Sequence, residues 1–125
     1  MSLDYRLRPV RTAAILTTSY VTGTVLDQEH FNNQLVLLVN FTLGSLTTAE
    51  IRVEGSPDNT NFYQETFQSI ATGTATETRG EHQISTTGLY RILIPIKDRY
   101  IRVSAKGTGT VTGSSMTIDA VTGEV

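Results

Sequence analysis

The sequence predicts an all-β protein: an antiparallel β-sandwich of about eight strands, jelly-roll or immunoglobulin-like in kind. Three observations carry that expectation. Threonine makes up about one residue in six and glycine is frequent, a mixture suited to pleated strands and tight turns. No window shows a sustained helical stripe, whereas 49–54 and 100–106 alternate strictly between apolar and polar residues. Short candidate strands separated by turn residues recur along the chain at the spacing of packed antiparallel sheets.

Residues 1–9 hold Arg6, Arg8 and Pro9 among scattered apolar groups. They are expected to form an extended arm that gains order against a neighbouring subunit, with Arg6, Arg8 and Arg11 meeting acidic or carbonyl groups there. The remainder, 10–125, is expected to form one sandwich domain, since a chain of 125 residues holds a single core and not two substantial ones. Candidate strands follow at 10–16 and 19–26. The run 34–41, Gln-Leu-Val-Leu-Leu-Val-Asn-Phe, is apolar on both faces. That pattern fits a central strand covered on both sides, or one whose outer face meets a partner.

In 49–54, Ile51 and Val53 share one face while Glu50, Arg52 and Glu54 share the other, the period of a half-buried strand. The following Gly-Ser-Pro-Asp-Asn-Thr-Asn-Phe-Tyr, 55–63, is turn chemistry. Proline presets its own backbone angle, and Asp and Asn side chains bond nearby amides. A strand at 61–67 leaves the turn, and a polar Thr/Gly-rich loop is expected at 71–80. After a short strand at 81–85, the apolar strand from 89 is expected to end at Pro95, which lacks a ladder donor, or to run along a sheet edge. Across the charged turn Lys97-Asp98-Arg99 it is expected to form a hairpin with 100–106. In the last candidate, 110–121, Val111 is out of phase with Met116, Ile118 and Ala120. A bulge near Gly113 is expected to bring them to one face.

Composition removes several function classes. Ten basic against twelve acidic residues, a formal charge of -2, leave no basic footprint for nucleic acid. No apolar run approaches a membrane span or a signal peptide, so synthesis in a cytoplasm and a soluble product are expected. The absence of cysteine excludes disulfides, thiolate nucleophiles and sulfur-ligated zinc. His30 and His82 are the only histidines and sit in no ligand-spaced motif. Asp27 and Glu29 beside His30 hint at a metal or acid/base cluster, although a solvated turn explains them more simply. Asp58, Asn59 and Asn61 offer closely spaced oxygen atoms, without the alternating acidic ligands of a helix-loop-helix calcium site. No catalytic residue, cofactor or metal is expected, and the protein is read as non-enzymatic. Alternation sends one of Phe62 and Tyr63 into the core and the other outward. An outward Tyr63, joined by Tyr20, Tyr90 and Tyr100, gives the alternative of a carbohydrate-binding module that stacks on a sugar ring.

The segment Glu54-Gly55-Ser56-Pro57-Asp58-Asn59-Thr60-Asn61-Phe62-Tyr63, followed by Arg99-Tyr100-Ile101-Arg102-Val103 and a Thr/Gly-rich last strand, resembles small virion structural proteins of tailed bacteriophages. Those often show a strand, then Ser-x-Asp-Gly-x-Asn with an aromatic residue, and later a Tyr-x-Arg-Val strand. Asn59 stands where that pattern more often has glycine, a mild departure because asparagine also tolerates positive backbone dihedrals. The similarity falls within 35–118. It implies a β-sandwich that acts in a virion by binding capsid or tail proteins, as a capsid decoration or cement protein, or as a collar or tail component. It further implies a homo-oligomer, with a trimer favoured. The partner-binding residues expected are Arg6, Arg8, Pro9, Arg11 and Tyr63.

Overall fold

The computed structural model describes residues 4–27, 31–64, 66–71, 74–79, 81–95 and 98–124. These form two antiparallel sheets packed face to face, with no helix among them. The first sheet has the order β1 (Asp4–Ala14), β12 (Ser115–Glu124), β4 (Phe31–Thr42), β10 (Gly88–Pro95), β7 (Thr66–Ala71), β8 (Thr74–Arg79). The second runs β2 (Val21–Thr22), β11 (Tyr100–Gly109), β5 (Leu46–Ser56), β6 (Tyr63–Gln64). There β3 (Leu26–Asp27) also pairs with β11, and β9 (Glu81–Ile84) also pairs with β5. The predicted all-β sandwich is therefore present.

Alternation builds the core. Leu35, Leu37, Val39 and Phe41 of β4 point inward and are fully buried, as are Ile92 and Ile94 of β10 and Met116, Ile118 and Ala120 of β12. Ala49, Ile51 and Val53 of β5 and Ile101, Val103 and Ala105 of β11 meet them from the second sheet. Removing each large aliphatic side chain from water contributes about 1.5–3 kcal/mol. Leu16, Leu26, Leu46 and Ile84 join the same core. β4 is paired on both edges, to β10 and to β12. Its second apolar face is not covered by another layer, because Leu38 is 42% exposed.

Four expectations change once the chain is folded. From Asp4 on, the segment expected as an arm is part of β1, laddered to β12 from Asp4↔Glu124 to Ala14↔Met116. A strand of mixed polarity is acceptable there because β1 needs a partner on one edge only. Pro9 and two register shifts sit in it, as edge positions permit. The polar stretch expected as a loop over 71–80 contains β8, which closes the other edge by pairing with β7. β-branched threonines suit such an edge, where little apolar burial is demanded; residues 72–73 and 80 lie outside the described residues. β10 and β11 do not form a hairpin: β10 pairs with β4 and β7 in the first sheet, and β11 with β5 in the second. Pro95, opposite Gln34, is the last residue of β10 before 96–97, which lie outside the described residues, and β10 runs between β4 and β7, not along an edge. Finally, no bulge is needed at Gly113. β11 ends at Gly109, residues 110–114 carry the chain from one sheet to the other, and Val111 and Met116 belong to different segments.

That crossing is closed by contact between two turns. Ser45 N donates to Thr112 O (3.0 Å), Ser114 N to Val111 O (3.1 Å), and Leu16 N to the buried Ser114 Oγ (3.2 Å). Gly44, at φ +58°, lies against the backbone of Gly113 so closely that a Cβ there would stand 2.4 Å from its carbonyl carbon. Gly113 is also left-handed, at φ +75°, yet a Cβ on it would come no nearer than 3.6 Å to Gly44. Gly113→Ala is therefore expected to cost only the left-handed strain, about 1–2 kcal/mol. Gly44→Ala adds a backbone overlap to the same strain and should cost distinctly more. Equilibrium urea unfolding checks this order, and equal losses at the two positions would contradict it.

Candidate protein-interaction face

The loop at 55–63 is organised by a single carboxylate. Asp58 Oδ1 accepts from the backbone N–H groups of Asn61 and Thr60, both at 2.9 Å, and from Ser56 Oγ at 3.0 Å. Oδ2 accepts from Asn61 Nδ2 at 2.9 Å. These bonds, the Asn61 and Thr60 amides foremost, hold the Asp58 carboxyl far below the usual aspartate range. Its oxygens are spent on the loop's own donors, the arrangement of a structured turn. Asn59 takes φ 59°, the left-handed conformation that glycine would supply without strain and asparagine tolerates.

The outer face of the second sheet is a ladder of charge and aromatic contacts. In register, Glu54 opposes Arg102, Arg52 opposes Ser104 and Glu50 opposes Lys106. Arg102 Nε donates to Glu54 Oε1 at 3.0 Å, and its guanidinium lies 3.9 Å from the centre of the Phe62 ring. Phe62 thus covers Arg102 instead of entering the core, where the alternation argument allowed it to go. Arg52 and Lys106 stand 4.0 and 4.8 Å from the ring centre of Tyr20. Thr108 Oγ1 donates to the carboxylate of Glu50. Glu50, Arg52, Glu54, Arg102 and Lys106 lie on the outer face as alternation placed them, whereas Ser104 of the same row is buried, its hydroxyl 3.0 Å from that of Thr22.

The residues expected to bind partners are dispersed. Arg8 Nη1 donates to Asp27 O at 3.3 Å, and the Asp27 carboxylate is held by Arg99 Nε and Nη2, each at 3.0 Å. Arg11 Nε donates to Met116 O, and its Nη2 to the carbonyls of Ala14 and Ile15, at 3.1–3.2 Å. Arg8 and Arg11 therefore tie β1 to its own fold. Arg6 stands in register with Thr122. Pro9 is exposed and stands opposite Asp119. Tyr63 is 62% exposed on β6, opposite Gly55, which offers no side chain to pack on. The other tyrosines do not join it. Tyr20 is stacked by cations, Arg99 lies 5.0 Å from the Tyr100 ring centre, and the Tyr90 hydroxyl donates to Thr86 O at 2.6 Å in the other sheet. His82 stands opposite Ile51 in β9, while Glu29 and His30 lie outside the described residues. Among the described residues no three His, Asp or Glu side chains gather as a metal site.

The outer face of the first sheet differs in kind. Register aligns Leu7, Val121, Val36 and Leu93 in one row across β1, β12, β4 and β10. The neighbouring row reads Pro9, Asp119, Leu38, Arg91, and the next holds Thr117, Asn40 and Leu89. Leu7 is 61% and Leu89 72% exposed. A shallow depression of about 180 Å³ lies at Leu38, Asn40, Leu89, Thr117 and Asp119. A face rich in outward apolar groups on one sheet, with the other sheet's outer face charged, is the feature by which contact surfaces are recognised, and it makes this face the candidate. Sequence reasoning registered the two-faced run 34–41 but missed Leu7, Leu89, Leu93 and Val121. Their outward phase follows from strand pairing.

Asp58 yields a test of the loop. Its folded pKa is depressed, so its stabilising contribution is complete above the unfolded aspartate value of about 3.9 and is lost as pH falls toward the folded value. Urea midpoints of the wild type and Asp58→Asn are expected to differ most above about pH 5 and to converge toward about pH 2. A difference independent of pH would show that the charge is not what organises the turn.

No protein-family model and no curated protein matches the chain. Among solved structures, the crystal structure of SPBc2 prophage-derived protein YomS is similar, with a TM-score of 0.65 at 17% sequence identity. The similarity covers 99% of this chain and 96% of that one. At that identity the two share a fold over essentially their whole length.

Proposed function

We propose that this chain is a non-enzymatic structural protein of a tailed-bacteriophage virion, a capsid decoration or cement protein that stabilises the shell through protein–protein contacts. The observation that carries the proposal is the apolar outer face of the first sheet, with Leu7, Val36, Leu38, Leu89, Leu93 and Val121 turned away from a core that is already complete. The fold likeness to a prophage-derived protein over nearly all of both chains supports it, as does the loop and Tyr-x-Arg-Val resemblance read from the sequence. The mechanism is mass action. Bound copies bury apolar area between subunits through this face, so the assembled state gains free energy that the dissociated state lacks.

Mass spectrometry of gradient-purified particles from cells carrying the gene tests the proposal. The chain is expected in the particle fraction, and its absence from all particle fractions overturns the proposal. Leu38→Asp and Leu89→Asp change side chains directed outward, so thermal unfolding should shift little. Incorporation should fall tenfold or more. Incorporation at wild-type level in both variants would remove this face from the contact.

A further inference from the structure

Two charged residues flank Leu38 on the apolar face. Register places Asp119 of β12 beside it on one side and Arg91 of β10 beside it on the other. Strands stand about 4.8 Å apart, so the two charges are about 10 Å from each other with Leu38 between. Neither makes an ion pair with another described residue. Burying either against an apolar surface would be costly unless an opposite charge met it.

We infer that the occupant of this face is a second copy of the same face, related by a two-fold axis running along β4 through Leu38. This rests on the reading of the face as the contact surface given above. Rotation about that axis exchanges the β12 side with the β10 side. Asp119 of each copy then meets Arg91 of the other, Leu38 meets Leu38, and Val121 meets Leu93. Turning the axis across the strands would set Asp119 on Asp119 and Arg91 on Arg91, so charge selects one of the two alignments. The pairing is isologous: one patch serves both partners. A three-fold ring, as the virion resemblance implied, needs two different complementary patches instead. The axis sets β12 against β10 and β1 against β7, so the overlap has five strands; over the eight residues of β10 and the six of β7 it spans about 600 Å² in projection. Two such faces reach the roughly 1,000 Å² that a specific contact requires.

Sedimentation and light scattering of the purified full chain over a concentration series test the inference. A monomer–dimer equilibrium is expected in the micromolar range. Asp119→Arg alone and Arg91→Asp alone each set like charges face to face and should weaken dimerisation at least tenfold. An equimolar mixture of these two variants restores both opposite-charge contacts and should dimerise, as should the double variant carrying both changes. Circular dichroism establishes that each single variant is folded before the comparison is made. A wild type that stays monomeric, a trimer, or single variants that dimerise as well as wild type would overturn the inference. If the dimer forms and responds to the charge swaps while particles lack the chain, the virion proposal fails and the two-fold contact stands. If particles hold the chain through Leu38 while the purified protein and the mixture remain monomeric, the face belongs to a different virion protein.

Discussion

The structure depends on the inward half of β4. Leu35, Leu37, Val39 and Phe41 are fully buried on a strand whose backbone is laddered on both edges, to β10 and β12. A strand paired on both sides cannot slip by one residue without moving all four side chains out of the core. That register in turn aligns the inward residues of β10 and β12, and these give β5 and β11 a surface on which to pack. The chain crosses between the layers at the 43–45 and 110–114 turns, where the missing Cβ of Gly44 lets two backbones approach closely and Gly113 supplies a left-handed turn.

The same constraint divides the outside of the molecule into two unlike faces. Behind β5 and β11, alternation exposes Glu50, Arg52, Glu54, Arg102 and Lys106, and antiparallel register sets opposite charges across from one another or stacks cations on Tyr20 and Phe62. That face is at home in water. Behind β4, the alternate positions are Val36 and Leu38, and their neighbours include Val121, Leu93 and Leu89. Outward apolar groups in rows lie outside the core of the single chain, and that singles out this face as the candidate for contact with other molecules. Edges are treated differently again. Among the described residues the second sheet is bordered by strands of two to four residues, which offer little edge to a stray chain.

Much of this was legible in one dimension wherever a local rule applied. The phases of 49–54 and 100–106 were readable because one face of each strand is wet and polar. The turn at 55–63 was readable because Pro57, Asp58 and Asn59 act on neighbouring amides, and Asn59 adopts the left-handed conformation its position suggested. Reading failed where polarity and pairing part company. Arg8 and Arg11 looked like partner-seeking groups, yet they donate to carbonyls of their own fold. The threonines of β8 looked like a loop because the segment has no apolar alternation to mark a strand. β10 and β11, adjacent in sequence, looked like a hairpin because short connections usually join paired strands, whereas here the connection spans the sandwich.

By itself the sequence determined the all-β class, the approximate strand positions, the turn chemistry and the run 34–41 with apolar residues on both faces, because each follows from interactions within a few residues. Only the tertiary structure decided which strands are neighbours, and therefore that Leu7, Val121, Val36 and Leu93 form one row and that Asp119 and Arg91 bracket Leu38. Those residues come from strands distant along the chain, and backbone hydrogen bonds between strands, not local propensity, bring them to one face.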